Sequence, residues 1–199
     1  MNYPYKIKKN SSNQINYSNR GMVLEADLNE TNNYYLINNI AIIHKKPTPI
    51  TIKKVDYLSP KKIKIKEATF QKPSTTDYNG IYQGKYIDFE AKETKNKSCF
   101  PLKNIHSHQI EHLKKIIEHG GIGFLIIRFT SYNETFYLDG KDFINFINTK
   151  TRKSIPYSYF KDKGFVLKIK YNPRLDYLKI IDKIYFNGGK ENEEKKKNK

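Results

Sequence analysis

The stretch 86–92 constrains the fold more than any other part of the chain, because its polar and apolar side chains alternate. The polar positions are Tyr86, Asp88, Glu90 and Lys92, and the apolar positions between them are Ile87, Phe89 and Ala91. A period of two predicts a half-buried β-strand. Glu90 and Lys92 then share a face and lie about 6.5 Å apart along the strand.

Asp77 is the nearest acid before this strand, and it ends the segment 74–77, Ser-Thr-Thr-Asp. The intervening segment 78–84 contains an Asn-Gly pair and a second glycine, which are turn residues suited to folding Asp77 back beside the strand. Two carboxylates and a lysine would then converge.

This combination of side chains is what a metal-dependent nuclease requires. Carboxylates are hard oxygen ligands for Mg²⁺, and the bound ion neutralises a phosphodiester and lowers the pKa of a bound water. A nearby lysine orients the attacking water or stabilises charge that builds on the phosphoryl oxygens. The pattern is short, and in a lysine-rich chain a surface strand with solvated charges is the competing interpretation.

The chain of 199 residues has a formal charge of +17, and most of the surplus lies in residues 18–186. A basic chain of this kind predicts a polyanionic partner, of which nucleic acid is the commonest. A/T-rich codons also enrich Lys, Asn, Ile, Tyr and Phe, so genome composition is a second explanation of the lysine content. The single cysteine, Cys99, excludes an intramolecular disulfide and a cysteine zinc cluster.

The length suits one domain with a sizeable core. We predict a single domain over 18–186, a disordered basic arm over 1–17 and a disordered charged tail over 187–199, because both ends lack hydrophobic periodicity. The sequence shows neither the apolar run of a secretory signal nor a stretch of about eighteen apolar residues. We therefore expect a cytoplasmic protein without a membrane partner.

Residues 50–66 form two alternating, lysine-bearing arms on either side of Leu58-Ser59-Pro60. The pattern predicts a basic, hairpin-like projection inserted in the domain. It is either an ordinary edge hairpin whose lysines block aggregation or an arm that contacts DNA. The candidates for DNA contact are Arg20, Lys53, Lys54, Lys61, Lys62 and Lys64.

A helix is predicted over 102–119, and its apolar row contains one polar residue. The row runs through Leu102, Ile105, Gln109, Leu113 and Ile116. A buried amide costs free energy unless it finds hydrogen-bond partners. Gln109 therefore either bonds to the backbone or reaches the metal centre, directly or through water. The apolar run 122–127 that follows predicts a central strand.

The same helix contains a rival motif. His108, Glu111 and His112 match the His-x-x-Glu-His pattern, in which two histidines bind zinc and the glutamate is the general base of a metalloprotease. A third ligand is not evident downstream, and this interpretation leaves Asp77 and Glu90 without a role. We consider the protease the weaker hypothesis.

Five segments together carry a resemblance to a known family: 20–32, 44–49 (HKKPTP), 74–80 (STTDYNG), 86–97 (YIDFEAKETKNK) and 108–112 (HQIEH). They resemble the RecU Holliday junction resolvases over about residues 17–186. The resemblance implies an α/β fold of the restriction-endonuclease-like PD-(D/E)xK type, with a mixed central β-sheet flanked by helices and a projecting basic stalk. It also implies a homodimer that acts on four-way DNA junctions in recombination and repair.

Carried over by position, the resemblance implies a Mg²⁺ site, for which Mn²⁺ is a candidate substitute, on Thr75, Asp77, Glu90 and Gln109. Lys92 matches the lysine that stabilises the transition state. The stalk of the family, which is expected to enter the centre of the junction, matches about 51–66. Thr76 occupies the place of the usual signature proline, but the metal needs the carboxylate that follows rather than the proline ring.

Glu25 and Asp88 are candidates for supporting roles, although a structural salt bridge or a solvated charge is the favoured explanation of each. A two-fold symmetric dimer would present its two sites to a symmetric junction and nick strands of like polarity. A RecA-type recombinase is a candidate partner that no residue here identifies. The alternative class is a protein that only binds or anneals branched DNA, and it would give no reason to place Asp77 and Glu90 against phosphate.

Overall fold

A computed structural model describes residues 22–59, 62–71, 75–149 and 151–186. The predicted arm 1–17, the predicted tail 187–199 and two of the candidates for DNA contact, Arg20 and Lys61, lie outside the described residues. Within them, a six-stranded sheet is flanked by helices on both faces. This architecture confirms the predicted mixed sheet between helices.

The strands of the large sheet are β1 (Ile42–Lys45), β4 (Tyr78–Tyr82), β5 (Lys85–Thr94), β7 (Ile122–Phe129), β8 (Glu134–Asp139) and β10 (Phe165–Leu167). Their spatial order is β1-β4-β5-β7-β8-β10. Only β5 and β7 run parallel, and they pair Glu90 with Leu125 and Lys92 with Ile127. The other neighbours are antiparallel, so the sheet is mixed.

Two smaller ladders complete the strands: β2 (Ile50–Ser59) with β3 (Lys62–Phe70), and β6 (Cys99–Pro101) with β9 (Ser154–Pro156). The β2–β3 hairpin is the predicted basic projection, and it extends four residues beyond the predicted end at residue 66. All side chains of β3 are exposed. Among the hairpin side chains whose burial the structure describes, none belongs to the hydrophobic core.

The helices are α1 (Met22–Ile37), α2 (Ser107–Glu118), α3 (Gly140–Thr149), α4 (Tyr157–Lys163) and α5 (Leu178–Ile181), which continues as a π-helix over Asp182–Phe186. One face of the sheet packs on α1 and α5, and the other face packs on α2, α3 and α4. An ion pair fixes α1 to the sheet, because Asp27 accepts a hydrogen bond from the buried Arg128 at 2.7 Å.

Stacked aromatic rings cross the sheet beneath α1 and α5. The rings of Tyr78 and Phe89 are 4.7 Å apart, those of Phe89 and Phe124 are 4.6 Å apart, and those of Phe124 and Tyr137 are 4.6 Å apart. These residues belong to β4, β5, β7 and β8. Each stacked pair contributes about 0.5–1.5 kcal/mol beyond the burial of its area, so the row holds four neighbouring strands in register.

Two local predictions were wrong. β5 is not half-buried at its centre, because Asp88 and Glu90 on its polar face are fully buried and α2 packs against this strand. The chain does not turn at Asn79-Gly80, which lies within β4. It turns at Gln83-Gly84, where both residues have positive φ. Asp77 lies in the bend just before β4.

The predicted helix 102–119 is interrupted. A single 3₁₀ turn over Leu102–Asn104 is followed by extended residues, and α2 begins only at Ser107, where His106 and Gln109 form a reciprocal cap. The segment 151–173 contributes β9, α4 and β10. Ile155 and Phe160 of this segment are fully buried. These elements are too short for a periodic pattern to reveal. No helix among the described residues is long and apolar enough to cross a membrane.

Gly80 is required by the close approach of β1. A Cβ placed on Gly80 would lie 2.0 Å from the carbonyl oxygen of Ile42 and 2.6 Å from the Cα of Ile43, and neither backbone atom can rotate away. We expect Gly80→Ala to lower the free energy of unfolding by about 1–3 kcal/mol, as overpacking does. Urea denaturation monitored by circular dichroism measures this change.

Gly123→Ala is the matched control in β7. The added Cβ would meet only the flexible side chains of Ile117 and Leu113, at 3.2 and 3.3 Å. A smaller loss of stability is therefore expected. Equal losses in the two variants would show that the contact with β1 is not what restricts position 80.

Candidate metal centre

A cleft of about 470 Å³ opens where the start of α1, the segment 45–49 and the beginning of β4 meet the C-terminal half of β5. Asp77 and Lys92 line the cleft, and Thr75 lies at its wall. Glu90 is fully buried directly beneath. The pairing of β4 with β5 aligns Tyr78 with Phe89, so Asp77 is placed beside Glu90 across the two strands.

The two acids and the lysine are in direct contact. The ammonium of Lys92 lies 3.1 Å from Oδ2 of Asp77 and also contacts Oε1 of Glu90. The backbone N–H of Asp77 donates to Oε2 of Glu90 at 3.1 Å. Lys92 is therefore the cation that lies between the two acids in this structure.

The charges of this cluster depend on one another. Burial, and then the negative charge of Asp77, raise the pKa of Glu90 from 4.5 to about 7, although Lys92 lowers it in part. Burial alone would lower the pKa of Lys92, but Glu90 and Asp77 outweigh it and the pKa is raised. Lys92 thus stays protonated, while Glu90 is poised to exchange its proton for another cation near neutral pH.

Gln109 reaches the centre through the loop before β4. Its side chain is 3% exposed, its Oε1 accepts the N–H of His106 at 3.0 Å, and its Nε2 donates to the carbonyl oxygen of Thr75 at 3.4 Å. The amide in the apolar row is therefore bonded to backbone at both ends, as one of the two interpretations of the sequence expected. It also links α2 to Thr75.

The oxygen atoms present suit a hard divalent cation. Oε1 of Glu90 is buried and accepts no regular hydrogen bond from any described residue, although Lys92 contacts it as an ion pair. No three His, Cys, Asp or Glu side chains within 22–59, 62–71, 75–149 and 151–186 gather as a metal site. A metal held by Asp77 and Glu90 would therefore need neutral oxygens as further ligands. Thr75 lies in the same cleft as Asp77, and the side chain of Gln109 contacts Thr75.

Glu25 and Asp88, the two supporting candidates, have different surroundings. Glu25 lines the cleft from α1, where Lys45 pairs with it at 2.5 Å. Asp88 is fully buried on β5, two residues before Glu90, and pairs with Lys46 at 2.7 Å. Both carboxylates are thus paired with a lysine from the end of β1 or the residue after it.

The candidate DNA-binding lysines within the described residues, Lys53, Lys54, Lys62 and Lys64, are all exposed on the β2–β3 hairpin. Lys53 lies 3.7 Å from Glu67 of the opposite strand. The rival zinc motif is not assembled in the described part of the chain. The imidazole of His112 lies 3.2 Å from Asp88, and no cluster of three metal-ligating side chains includes it.

Lys46 is a residue of the centre that the sequence did not reveal. Its ammonium contacts both Asp88 and the hydroxyl of Thr76. It is one of 37 basic residues, and although it lies in the segment 44–49 that carries part of the family resemblance, the resemblance assigned it no role. Its importance arises from a contact with a carboxylate distant in sequence, which only the tertiary structure provides.

The raised pKa of Glu90 predicts a pH-dependent stability of the metal-free chain. The folded state binds this proton more tightly than the unfolded state, so the stabilisation is complete below pH 4.5 and is lost as the pH rises through about 7. Glu90→Gln cannot ionise and should escape that loss. Between about pH 5 and pH 8, the free energy of unfolding of Glu90→Gln, measured in EDTA, should rise relative to that of the parent. A difference in free energy of unfolding between variant and parent that does not change with pH would contradict this prediction.

Comparison with known proteins identifies the family. The family model described as Recombination protein U matches residues 19–183. The Holliday junction resolvase RecU of Bacillus cytotoxicus is 56% identical over 184 residues, which cover 91% of this chain and 90% of the relative. The resolvase of the same name from Bacillus cereus (strain AH820) is 55% identical over 188 residues, with 92% of each chain covered.

Among solved structures, the Archaeoglobus fulgidus Hjc, a Holliday junction resolvase from an archaeal hyperthermophile, aligns with a TM-score of 0.43 and 13% identity. The alignment covers 73% of this chain and 95% of the archaeal one. The length and identity of the sequence matches carry the assignment, and the chain belongs to the RecU family of recombination proteins.

Proposed function

We propose that this protein is a metal-dependent endodeoxyribonuclease that resolves Holliday junctions by nicking them. The observation that carries the proposal is the contact of Asp77, Glu90 and Lys92 at the floor of one cleft. The RecU relatives are named as Holliday junction resolvases, which favours this substrate over DNA in general. The RecU relatives come from bacteria, whose DNA lies in the cytoplasm, so we propose the cytoplasm as the place of action.

Asp77 and Glu90 are the proposed ligands of Mg²⁺, with Mn²⁺ as a substitute. Thr75 and Gln109 are the proposed neutral ligands that complete the site directly or through water, because Thr75 lines the cleft with Asp77 and the Gln109 side chain contacts the backbone of Thr75. When bound, such an ion neutralises the phosphate and lowers the pKa of the attacking water. The burial of Glu90 keeps bulk water away from one side of the site and strengthens its electrostatic interactions.

Lys92 has two successive roles in this proposal. In the metal-free chain its ammonium neutralises Asp77 and Glu90. With a divalent ion held by the two acids, the ammonium would no longer be needed to neutralise them and would be available to the cleft that it lines. It can then orient the attacking water or stabilise the charge that develops on the phosphoryl oxygens.

The β2–β3 hairpin is the proposed element for junction recognition. Its exposed lysines form a charged arm whose described side chains lie outside the core, so these lysines can contact phosphates. Two copies of the chain, related by a two-fold axis, would bring two centres to a two-fold symmetric junction and cut strands of like polarity. The contact with a RecA-type recombinase remains a hypothesis without an assigned surface.

Asp77→Asn should abolish most cleavage, because an amide is a weaker ligand for Mg²⁺ than a carboxylate. We expect nicking of a synthetic four-way junction to fall by more than about 100-fold, which is the upper range for losing an outer-shell partner of a metal site. Denaturing gels with labelled strands measure the rate, and linear duplex of the same sequence tests the preference for junctions.

Asp162→Asn, which changes an exposed carboxylate on α4, is the matched control and should cut normally. Junction binding by Asp77→Asn should persist without Mg²⁺ and weaken steeply with salt. Cleavage by Asp77→Asn at the rate of the parent would refute the catalytic assignment and favour a protein that only binds or anneals branched DNA.

The hairpin lysines should contribute to binding rather than to chemistry. Lys62→Ala combined with Lys64→Ala should weaken junction affinity and reduce the salt dependence of binding by about 0.9 in log–log slope for each lost phosphate contact. Electrophoretic mobility shift at several salt concentrations measures both effects. Lys179→Ala, an exposed lysine on α5, should change neither. An unaltered slope in the double variant would exclude the hairpin from phosphate contact.

A further inference from the structure

Asp88 is a fully buried carboxylate that the proposed reaction does not use. Its Oδ1 accepts a hydrogen bond from the hydroxyl of Thr76. Its Oδ2 accepts from the ammonium of Lys46 at 2.7 Å and from the hydroxyl of Tyr86 at 3.0 Å, and it lies 3.2 Å from Nε2 of His112. Four side chains from separate parts of the fold therefore converge on one acid.

These contacts reach the loop that carries the proposed metal ligands. Thr76 lies between Thr75 and Asp77, and its hydroxyl also accepts a hydrogen bond from the ammonium of Lys46 at 3.0 Å. The backbone N–H of Lys46 donates to the carbonyl oxygen of Asp77 at 2.8 Å. The loop is thus attached through Thr76 and through the backbone of Asp77.

We infer that Asp88 is a positioning residue for the metal centre: it acts through Thr76 and Lys46 to hold Thr75 and Asp77 in the arrangement that binds the divalent ion. This inference rests on the proposed function. It assigns to Asp88 a role in metal affinity without direct contact with the ion, in the way that outer-shell partners orient metal ligands.

The loop that carries Thr75 and Asp77 depends on contacts from outside itself, and this supports a positioning role for Asp88. A loop without regular secondary structure has few restraints of its own, and residues 75–77 are not part of a strand. Ordering such a loop when the metal binds would cost conformational entropy. Asp88 and Lys46 hold the loop in place before the metal binds. Less conformational entropy is then lost on binding, and the metal is bound more tightly.

The negative charge of Asp88 is compensated inside the fold. A third acid next to Asp77 and Glu90 would repel phosphate if it were uncompensated. Lys46, which is 19% exposed, neutralises it inside the fold. The acid therefore acts as a strong acceptor for the loop hydroxyl, since hydrogen bonds to an ionised group are about twice as strong as neutral ones.

An ordinary stabilising ion pair is the competing explanation. It would lower the stability of the whole chain when removed but would leave metal affinity unchanged. The two explanations separate when metal affinity and stability are measured in the same variants.

The first test replaces the link between Asp88 and the loop. Thr76→Val has nearly the same shape as threonine but lacks the hydroxyl, and Thr76→Ser keeps the hydroxyl. Binding of Mn²⁺ alone to each chain is measured by electron paramagnetic resonance, and the Mg²⁺ concentration that gives half-maximal nicking is measured on a four-way junction. Thr76→Val should weaken Mn²⁺ binding and raise the Mg²⁺ requirement by about tenfold, and Thr76→Ser should restore both.

The second test uses a matched pair of buried acids in the same sheet. Asp88→Asn is compared with Asp139→Asn on β8, where Asp139 accepts hydrogen bonds from Tyr185 at 2.5 Å and from the N–H of Lys141 at 2.9 Å. Both variants should lose thermal stability in EDTA. Only Asp88→Asn should bind Mn²⁺ more weakly, by about tenfold, and regain its nicking rate at high Mg²⁺.

The outcomes are distinguishable. A parent chain that neither binds Mn²⁺ nor nicks the junction refutes the proposed function, and this inference with it. The positioning role alone is refuted if the parent chain binds Mn²⁺ and nicks the junction, but Thr76→Val and any folded Asp88→Asn chain bind Mn²⁺ as tightly as the parent. If Asp88→Asn does not fold, the comparison of Thr76→Val with Thr76→Ser decides the question.

Discussion

The centre of strand β5, residues 87–90, is buried on both faces, and most other features of this protein depend on that constraint. Because its side chains alternate, one face supplies Ile87 and Phe89 to the aromatic and aliphatic core, while the other presents acids to a covering helix. A shift of one residue would exchange the two sets. It would remove Phe89 from its stack and place carboxylates in the apolar core, so the free energy of packing fixes the position of the chemistry.

Each acid on the polar face of β5 is paired with its own lysine. Glu90 lies against Lys92 of the same strand, whereas Asp88 lies against Lys46, which follows β1. Burying charges is tolerable only where they are paired and hydrogen-bonded. The pairing leaves the metal-free centre close to electrically balanced, so a nucleic acid backbone is not repelled as it would be by a bare cluster of acids.

The sequence predicted the face assignment of β5 and the burial of Gln109, because period and hydrophobicity are local properties. It did not predict that α2 would cover the polar face, since alternation shows which side chains share a face but not what packs on it. Asn79-Gly80 resembled a turn, although the glycine is needed for the approach of β1, which is a tertiary requirement. The role of Lys46 was not predicted because its contact with Asp88 is also formed only in the tertiary structure.

The separation of the β2–β3 hairpin from the core has a consequence for how such a protein can change over generations. Every side chain of β3 is exposed, and none of the hairpin side chains that the structure describes joins the two core clusters. Most surface substitutions alter stability by less than about 0.5 kcal/mol. Mutations can therefore accumulate in the arm without unfolding the domain or disturbing the catalytic cleft, and substrate preference can drift while the chemistry is retained.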